Sequence, residues 1–125
     1  MYSKQMIGKL GENVACEFLK GNGYILIEKN FRCRQGEIDI ILKDTVKGDL
    51  VFVEVKTRTN SLYGYPVEAV NNYKQKHIYN SAKYYIYKNR VENVPIRFDV
   101  IEIVIKNNNF FVNHIKQAID FLYSF

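Results

Sequence analysis

Glu54 and Lys56 stand two residues apart in "FVEVKTR", and Asp39, in "GEID", lies fifteen residues before Glu54. In an extended segment Val51, Val53 and Val55 take one side, which leaves Leu50, Phe52, Glu54 and Lys56 on the other. The acid and the base then project the same way, about 6–7 Å apart. A strand that starts apolar on both sides therefore ends with opposite charges on one of them.

Strict alternation in the preceding segment sets Ile38, Ile40 and Leu42 on one side and Glu37, Asp39 and Ile41 on the other. Antiparallel pairing of the two segments brings Asp39 beside Glu54, with Lys56 at the rim. Two carboxylates in an otherwise apolar sheet are costly unless something compensates them, and a divalent cation does. Hard oxygen ligands suit Mg2+ or Mn2+, which bind one or two carboxylates and keep several waters. Such an ion polarises a phosphoryl oxygen and makes water a better nucleophile. A lysine beside it can orient or deprotonate that water, or stabilise charge on the phosphate. The pattern predicts Asp39 and Glu54 as metal ligands, the Val55 carbonyl as a further ligand and Lys56 as the catalytic cation. An acid and a lysine at this spacing are more often a solvated ion pair worth under about 1 kcal/mol. What distinguishes this pair is the acid on the neighbouring strand and the apolar flanks that deny the strand an exposed face.

The elements that must hold these residues follow from periodicity. Ile7, Leu10, Val14, Ala15, Phe18 and Leu19 recur at helical spacing and predict a helix over about Lys4–Lys20, ended by "GNGY", where Gly21 and Gly23 offer positive φ. "YILIEKNFR" reads as a strand, "RQG" as a turn pivoting on Gly36, and "EIDIIL" as a second strand. "KDTVKGD" is a polar turn into the strand that carries Glu54. After the loop "TNSLYGYP", Pro66 suits the first turn of a long helix to about Asn89, with Val70, Ile78, Ala82 and Tyr85 facing inward. "IRFDVIEIVI" is a fourth strand, "NNN" a turn and "FFVNHI" a short fifth strand, with one helical turn possible in the tail. Strands one to three can form a meander, and strand four, returning after a helix, should lie parallel to strand three.

The totals agree with one α/β domain over residues 1–125: hydrophobic residues are 47% and charged residues 25%. No apolar run approaches the roughly 20 residues needed to span a bilayer, and "MYSKQMIGKL" lacks the apolar centre of a secretion signal. The expected location is the cytoplasm, with Cys16 and Cys33 as thiols. A formal charge of +5 and a pI near 9.1 suit a polyanionic partner.

"GEID" followed by "FVEVKTR", in helix–strand–strand–strand–helix–strand order, resembles the PD-(D/E)xK nuclease superfamily, the fold of restriction endonucleases and archaeal Holliday-junction resolvases. The whole chain is similar to the uncharacterised YraN-like family, whose landmarks match "GENVACEFL", "KNFRCRQGEIDII", "VFVEVKTR", "KQKHI" and "IRFDVI" in order. The resemblance implies a restriction endonuclease-like αβββαβ core, a mixed central sheet flanked by helices. It also implies a Mg2+- or Mn2+-dependent nuclease acting on nucleic acid, DNA ahead of RNA, with structure-specific cleavage and a role in repair or recombination as options. Asp39 matches the first metal-binding acid, Glu54 the second and Lys56 the lysine. Glu12, on the first helix, matches an additional acid of the resolvases. Ile38 stands where the superfamily's namesake proline would be. Resolvases of this fold work as dimers, which makes a homodimer an option here. The alternative is a nucleic-acid-binding module of the same fold without catalysis of its own.

Arg32, Arg34, Arg58, Lys74 and Lys76 could track a phosphate backbone, although each taken singly is more often a surface charge. Lys74 shares the inward stripe of the second helix, where it either snorkels or meets a phosphate near Lys56. Gln75 and Tyr79 match a Q-x-x-x-Y pair of some exonuclease branches, a spacing that also arises by chance. Tyr63 and Tyr65 are candidates for base stacking. Arg97 and Asp99 read as a structural ion pair, and His77 and His114, without partners at ligand spacing, as structural histidines.

Overall fold

A computed structural model describes residues 3–59 and 72–119. Helix α1 (Lys4–Lys20) is followed by β1 (Tyr24–Cys33), β2 (Gly36–Asp44), β3 (Leu50–Arg58), α2 (Asn72–Lys88), β4 (Ile96–Lys106) and β5 (Asn109–Ile115). The sheet order is β1-β2-β3-β4-β5, with β3–β4 parallel and every other pair antiparallel. This is the expected αβββαβ core plus a fifth strand. Pro66 and Val70, the stacking candidates Tyr63 and Tyr65, and the tail after Ile119 lie outside the described residues.

The two helices cover opposite faces. On one face Ala15, Cys16 and Leu19 of α1 pack on Tyr24, Ile40, Leu42, Val51, Val53, Ile101 and Ile103. On the other, Ile78, Ala82 and Tyr85 of α2 pack on Phe31, Ile38, Ile41, Phe52, Phe98 and Val100. Aromatic rings fill the centre of this second layer. Phe52 stacks on Phe98 at 5.4 Å, and Tyr85 sets its edge against Phe31 and Phe52.

Two sequence expectations for α1 need correction. Its buried stripe is Gly11, Ala15, Cys16 and Leu19, while Ile7, Leu10, Val14 and Phe18 are half-buried. The helix is rotated because Gly11 lies directly against Thr57 of β3, where a Cβ would collide with the threonine side chain. The helix also ends differently: Gly21 stays right-handed at φ −74°, and only Gly23, at φ 88°, uses positive φ. At the other end Ser3 caps α1, its hydroxyl accepting from the Met6 N–H at 3.2 Å.

One end of the sheet is pinned by a buried guanidinium. Arg97 donates to Asp99 through Nε and Nη2 at 2.9 Å each, to Asp44 at 3.1 Å, to Asp49 at 3.3 Å and to the Tyr24 hydroxyl at 2.7 Å. Asp99 also accepts from His114 Nε2 at 2.7 Å and from the Gln117 N–H at 2.9 Å. Burial works to raise the pKa of Asp99, but the bonds from His114, Arg97 and Gln117 outweigh it and hold the carboxyl below its usual range. The expected Arg97–Asp99 pair is thus the centre of a larger structural network, and His114 belongs to it. His77 is tied to the β1–β2 turn, its Nδ1 standing 2.7 Å from the Gln35 carbonyl oxygen.

The close approach at Gly11 generates a prediction. Gly11→Ala should gain helix propensity yet lose about 1–3 kcal/mol to overpacking. A lower urea midpoint with an unchanged slope is the expected result.

Candidate active site

Alternation fails where the chemistry is placed. In β2, Ile38 and Ile41 enter the layer under α2, whereas Ile40 and Leu42 enter the layer under α1. Strict alternation would have put Ile38 with Ile40 and Leu42, and that expectation is wrong. The break falls at Asp39. Along β1–β2 the register includes Lys29–Ile40 and Phe31–Ile38, but Asn30 and Asp39 between them do not pair, and Asn30 is left-handed at φ 53°. Along β2–β3 the pairing runs from Lys43–Leu50 to Ile40–Val53 and stops. Asp39 is the first residue past the end of that ladder.

Its carboxylate takes over from the ladder. Asp39 Oδ2 accepts the Val55 N–H at 2.8 Å, so the side chain binds β3 where β2 no longer does. Glu54 lies under the α2 face, 6% exposed, with Lys56 Nζ at 3.6 Å and Lys74 Nζ at 3.3 Å from its Oε1. Asp39 and Glu54 are nonetheless in side-chain contact, as the antiparallel pairing of the two strands predicts. They meet across the seam between β2 and β3, Asp39 reaching in from the kink.

That contact has an electrostatic cost. The Asp39 carboxyl is pushed up to about 7, first by burial and then by the charge of Glu54; the Val55 N–H and Lys74 work against the shift. Glu12 of α1 approaches from the opposite side of the seam. Its carboxyl is also raised, by burial and then by Asp39, while Asn30 and Lys29 oppose the rise. Asp39, Val55 and Glu12 share a groove of about 680 Å3 between α1 and the β1–β2 hairpin. Gly11 makes this meeting possible by letting α1 lie on Thr57 at the end of β3.

The remaining sequence candidates are dispersed. Arg32 lines the same groove and pairs with Glu37 at 3.5 Å. Arg34 is exposed in the β1–β2 turn and Lys76 is exposed on α2. Arg58 is committed to Glu102 of β4 at 3.2 Å. Gln75 is half-buried and Tyr79 is buried. Lys74 sits closer to Glu54 than Lys56 does, so the inward-facing lysine of α2 reaches an acid beside Lys56. Sequence reasoning missed Asn30, Lys4, Lys9 and Lys29 around Glu12. The spacing of Lys9 three residues before Glu12 on a helix could have signalled one of them.

Among the described residues no three His, Cys, Asp or Glu side chains form a ready cage for a metal ion. Asp39 and Glu54 nevertheless offer hard oxygen donors of the number that Mg2+ takes from protein, with water completing its shell. Glu54 carries two ammonium neighbours already, so the seam gathers both signs of charge within ion-pairing distance. Among the described residues no helix is long and apolar enough to cross a membrane.

Two solved structures overlap the chain only loosely. The protein SSO0001 is 18% identical at a TM-score of 0.39, covering 95% of this chain and 55% of its own, so the chain spans about half that protein's length. SfsA of Pyrococcus furiosus, solved in complex with Ca2+, is 13% identical at a TM-score of 0.33, covering 97% and 67%. Neither bears on activity. Sequence relatives are much nearer. A UPF0102 protein of Clostridium botulinum (strain 657 / Type Ba4) is 48% identical over 120 residues, 94% of this chain and 96% of that protein. A UPF0102 protein of Clostridium tetani (strain Massachusetts / E88) is 50% identical over 120 residues, 94% of this chain and 95% of that protein. Residues 11–103, which hold Glu12, Asp39, Glu54 and Lys56, match the uncharacterised protein family UPF0102, and the chain belongs to that family, the YraN-like family its motifs resemble.

Proposed function

We propose that this protein is a Mg2+- or Mn2+-dependent nuclease that hydrolyses phosphodiester bonds in nucleic acid, with DNA as the first substrate to try. One observation carries the reading: two carboxylates are brought together at a seam beside two lysines, and burial, with the charge of Glu54 added to it, pushes the Asp39 carboxyl up to about 7. Such a pair is costly to the fold, since it meets burial and like-charge repulsion at once, and the Val55 N–H and the two lysines do not cancel the Asp39 shift. A divalent cation between the acids removes both penalties.

Asp39 and Glu54 would hold the ion, which when bound supplies Lewis acidity toward a phosphoryl oxygen. The Val55 N–H fixes one Asp39 oxygen at 2.8 Å and so sets the direction of the other. Lys56 is the side chain that orients the attacking water or stabilises the charge that develops on the phosphate. Lys74 shares Glu54 with Lys56 and holds that carboxylate in place. Glu12 faces Asp39 from α1 and adds negative charge on the far side of the seam. The test is incubation with labelled linear, forked, nicked and branched DNA, and with RNA, in Mn2+. Lys56→Ala should lower turnover by about 10²-fold or more while circular dichroism and melting stay unchanged. Undiminished turnover in that variant would remove the assignment. Salt-dependent binding with no product on any substrate would favour a binding module that lacks chemistry of its own.

The Asp39 shift also sets a pH dependence, with a definite sign. A carboxyl raised in the folded protein binds its proton more tightly there than in the unfolded chain, so its contribution to stability is present below about pH 4 and lost as pH rises toward 7. Glu12 acts in the same direction. In EDTA the melting temperature should fall from pH 5 to pH 7.5, and Asp39→Asn should flatten that fall. Added Mn2+ competes with the Asp39 proton, so the stabilisation it confers should grow across the same interval. A wild-type protein whose metal-free melting curve matches that of Asp39→Asn at every pH would show the acids to be uncoupled.

A further inference from the structure

The groove between α1 and the β1–β2 hairpin is lined by Lys4, Lys9, Lys29 and Arg32 around the acids Glu12, Glu37 and Asp39. Three of these cations form no close ion pair among the described residues, although the charge of Lys29 acts on Glu12. Lys29 donates to the neutral Asn13 amide oxygen at 3.0 Å. Lys4 and Lys9 are exposed and have no ion-pair partner among the described residues. The fourth, Arg32, meets Glu37 at 3.5 Å with both side chains largely exposed, a pair that solvent and salt weaken and that an incoming anion can exchange. Lys4 is also misplaced for helix stability. It sits in the first turn of α1, which holds no acidic residue, so its charge opposes the helix dipole. Positive charge is thus kept where folding gains nothing from it. Among the described residues no aromatic side chain lines the groove, and the contacts these residues offer are to phosphates.

We infer that this groove binds the sugar–phosphate backbone of a nucleic-acid strand, without reading its sequence, on the α1 side of the acids. Lys4 and Lys9 are its principal phosphate contacts, supported by Lys29 and Arg32. The assignment of the strand as substrate rests on the nuclease reading, whereas binding in the groove does not. Lys56 and Lys74 stand on the α2 side of the seam, so the acids lie between two separate groups of cations.

The test uses the full chain in EDTA, where no cleavage intervenes. Fluorescence anisotropy is recorded with two labelled DNA oligonucleotides of unrelated sequence, between 50 and 200 mM salt, to bracket the roughly 150 mM ionic strength of physiological conditions. The double variant Lys4→Glu/Lys9→Glu should bind both about tenfold or more weakly, and the salt slope should fall by about 0.9 for each lost phosphate contact. Lys83→Glu/Lys88→Glu, an equal charge change on exposed positions of α2, should stay within about twofold of the wild type, since it leaves the groove's phosphate contacts intact. Lys4→Glu alone should raise the melting temperature while weakening binding, which a merely structural lysine would not do. Equal losses in the two double variants, or no binding by the wild type, would overturn the groove. Groove-dependent binding without metal-dependent cleavage would leave the groove standing and remove the nuclease reading. Cleavage with no effect of the groove variants on binding would do the reverse.

Discussion

The hydrogen bond from the Val55 N–H to the Asp39 carboxylate is the constraint on which the site depends. It forms because β2 and β3 stop pairing after Ile40–Val53, leaving a backbone donor that burial would make costly if unmet. A side chain meets it, and only a short acceptor at the first unpaired position can do so. The same bond fixes the carboxylate against Glu54, which alternation has already turned toward α2. The acid pair is therefore a product of how the ladder ends. Asn30, left-handed opposite the kink, is the matching irregularity on the other flank of β2. Its amide also meets Glu12, which extends the irregularity to the third acid.

The two ends of the sheet show opposite electrostatics. At one end Arg97 gathers Asp44, Asp49 and Asp99, and both carboxylate oxygens of Asp44 and of Asp99 accept hydrogen bonds there. Asp44 and Asp99 are both held below the usual carboxylate range in consequence. At the other end Asp39 and Glu12 are raised, first by burial and then by the charge of a neighbouring carboxylate, and the cations and donors within reach do not offset these. A satisfied charge cluster stabilises and is chemically inert. An unsatisfied one is where a cation or a phosphate can still be accommodated.

Most of the layering was legible in the sequence, and the exceptions have physical reasons. Period-2 and period-3.6 patterns located five strands and both helices because one-sided burial writes itself into those periods. The parallel return of β4 followed from the helical crossover. The triad Asp39, Glu54 and Lys56 was legible because charged residues interrupted apolar strands. What alternation could not reveal was its own failure at Asp39, since a kink leaves no mark in hydrophobic pattern: Ile38, Ile40 and Ile41 are equally apolar whichever face they join. The rotation of α1 was hidden for a related reason. Gly11 contributes through the side chain it lacks, and no hydrophobic scale registers that. The groove lysines were hidden because exposed cations on a helix look alike until the neighbouring hairpin closes over them.

Arg97 has a bearing on how the chain finds its pairing. Strands β3 and β4 join across the long stretch from Arg58 to Ile96, and hydrophobic side chains on both faces of each would tolerate sliding in steps of two. Such a slip would carry the guanidinium, with Asp99 beside it on the same strand, away from Asp44 and Asp49, which are anchored by the β2–β3 turn, and would leave those two carboxylates without their Arg97 bonds. The cluster therefore acts as an index mark for the one crossover that local turns cannot align. Correct alignment of β4 in turn keeps Glu102 beside Lys56 and Arg58, so assembly errors at the far end would be felt at the seam.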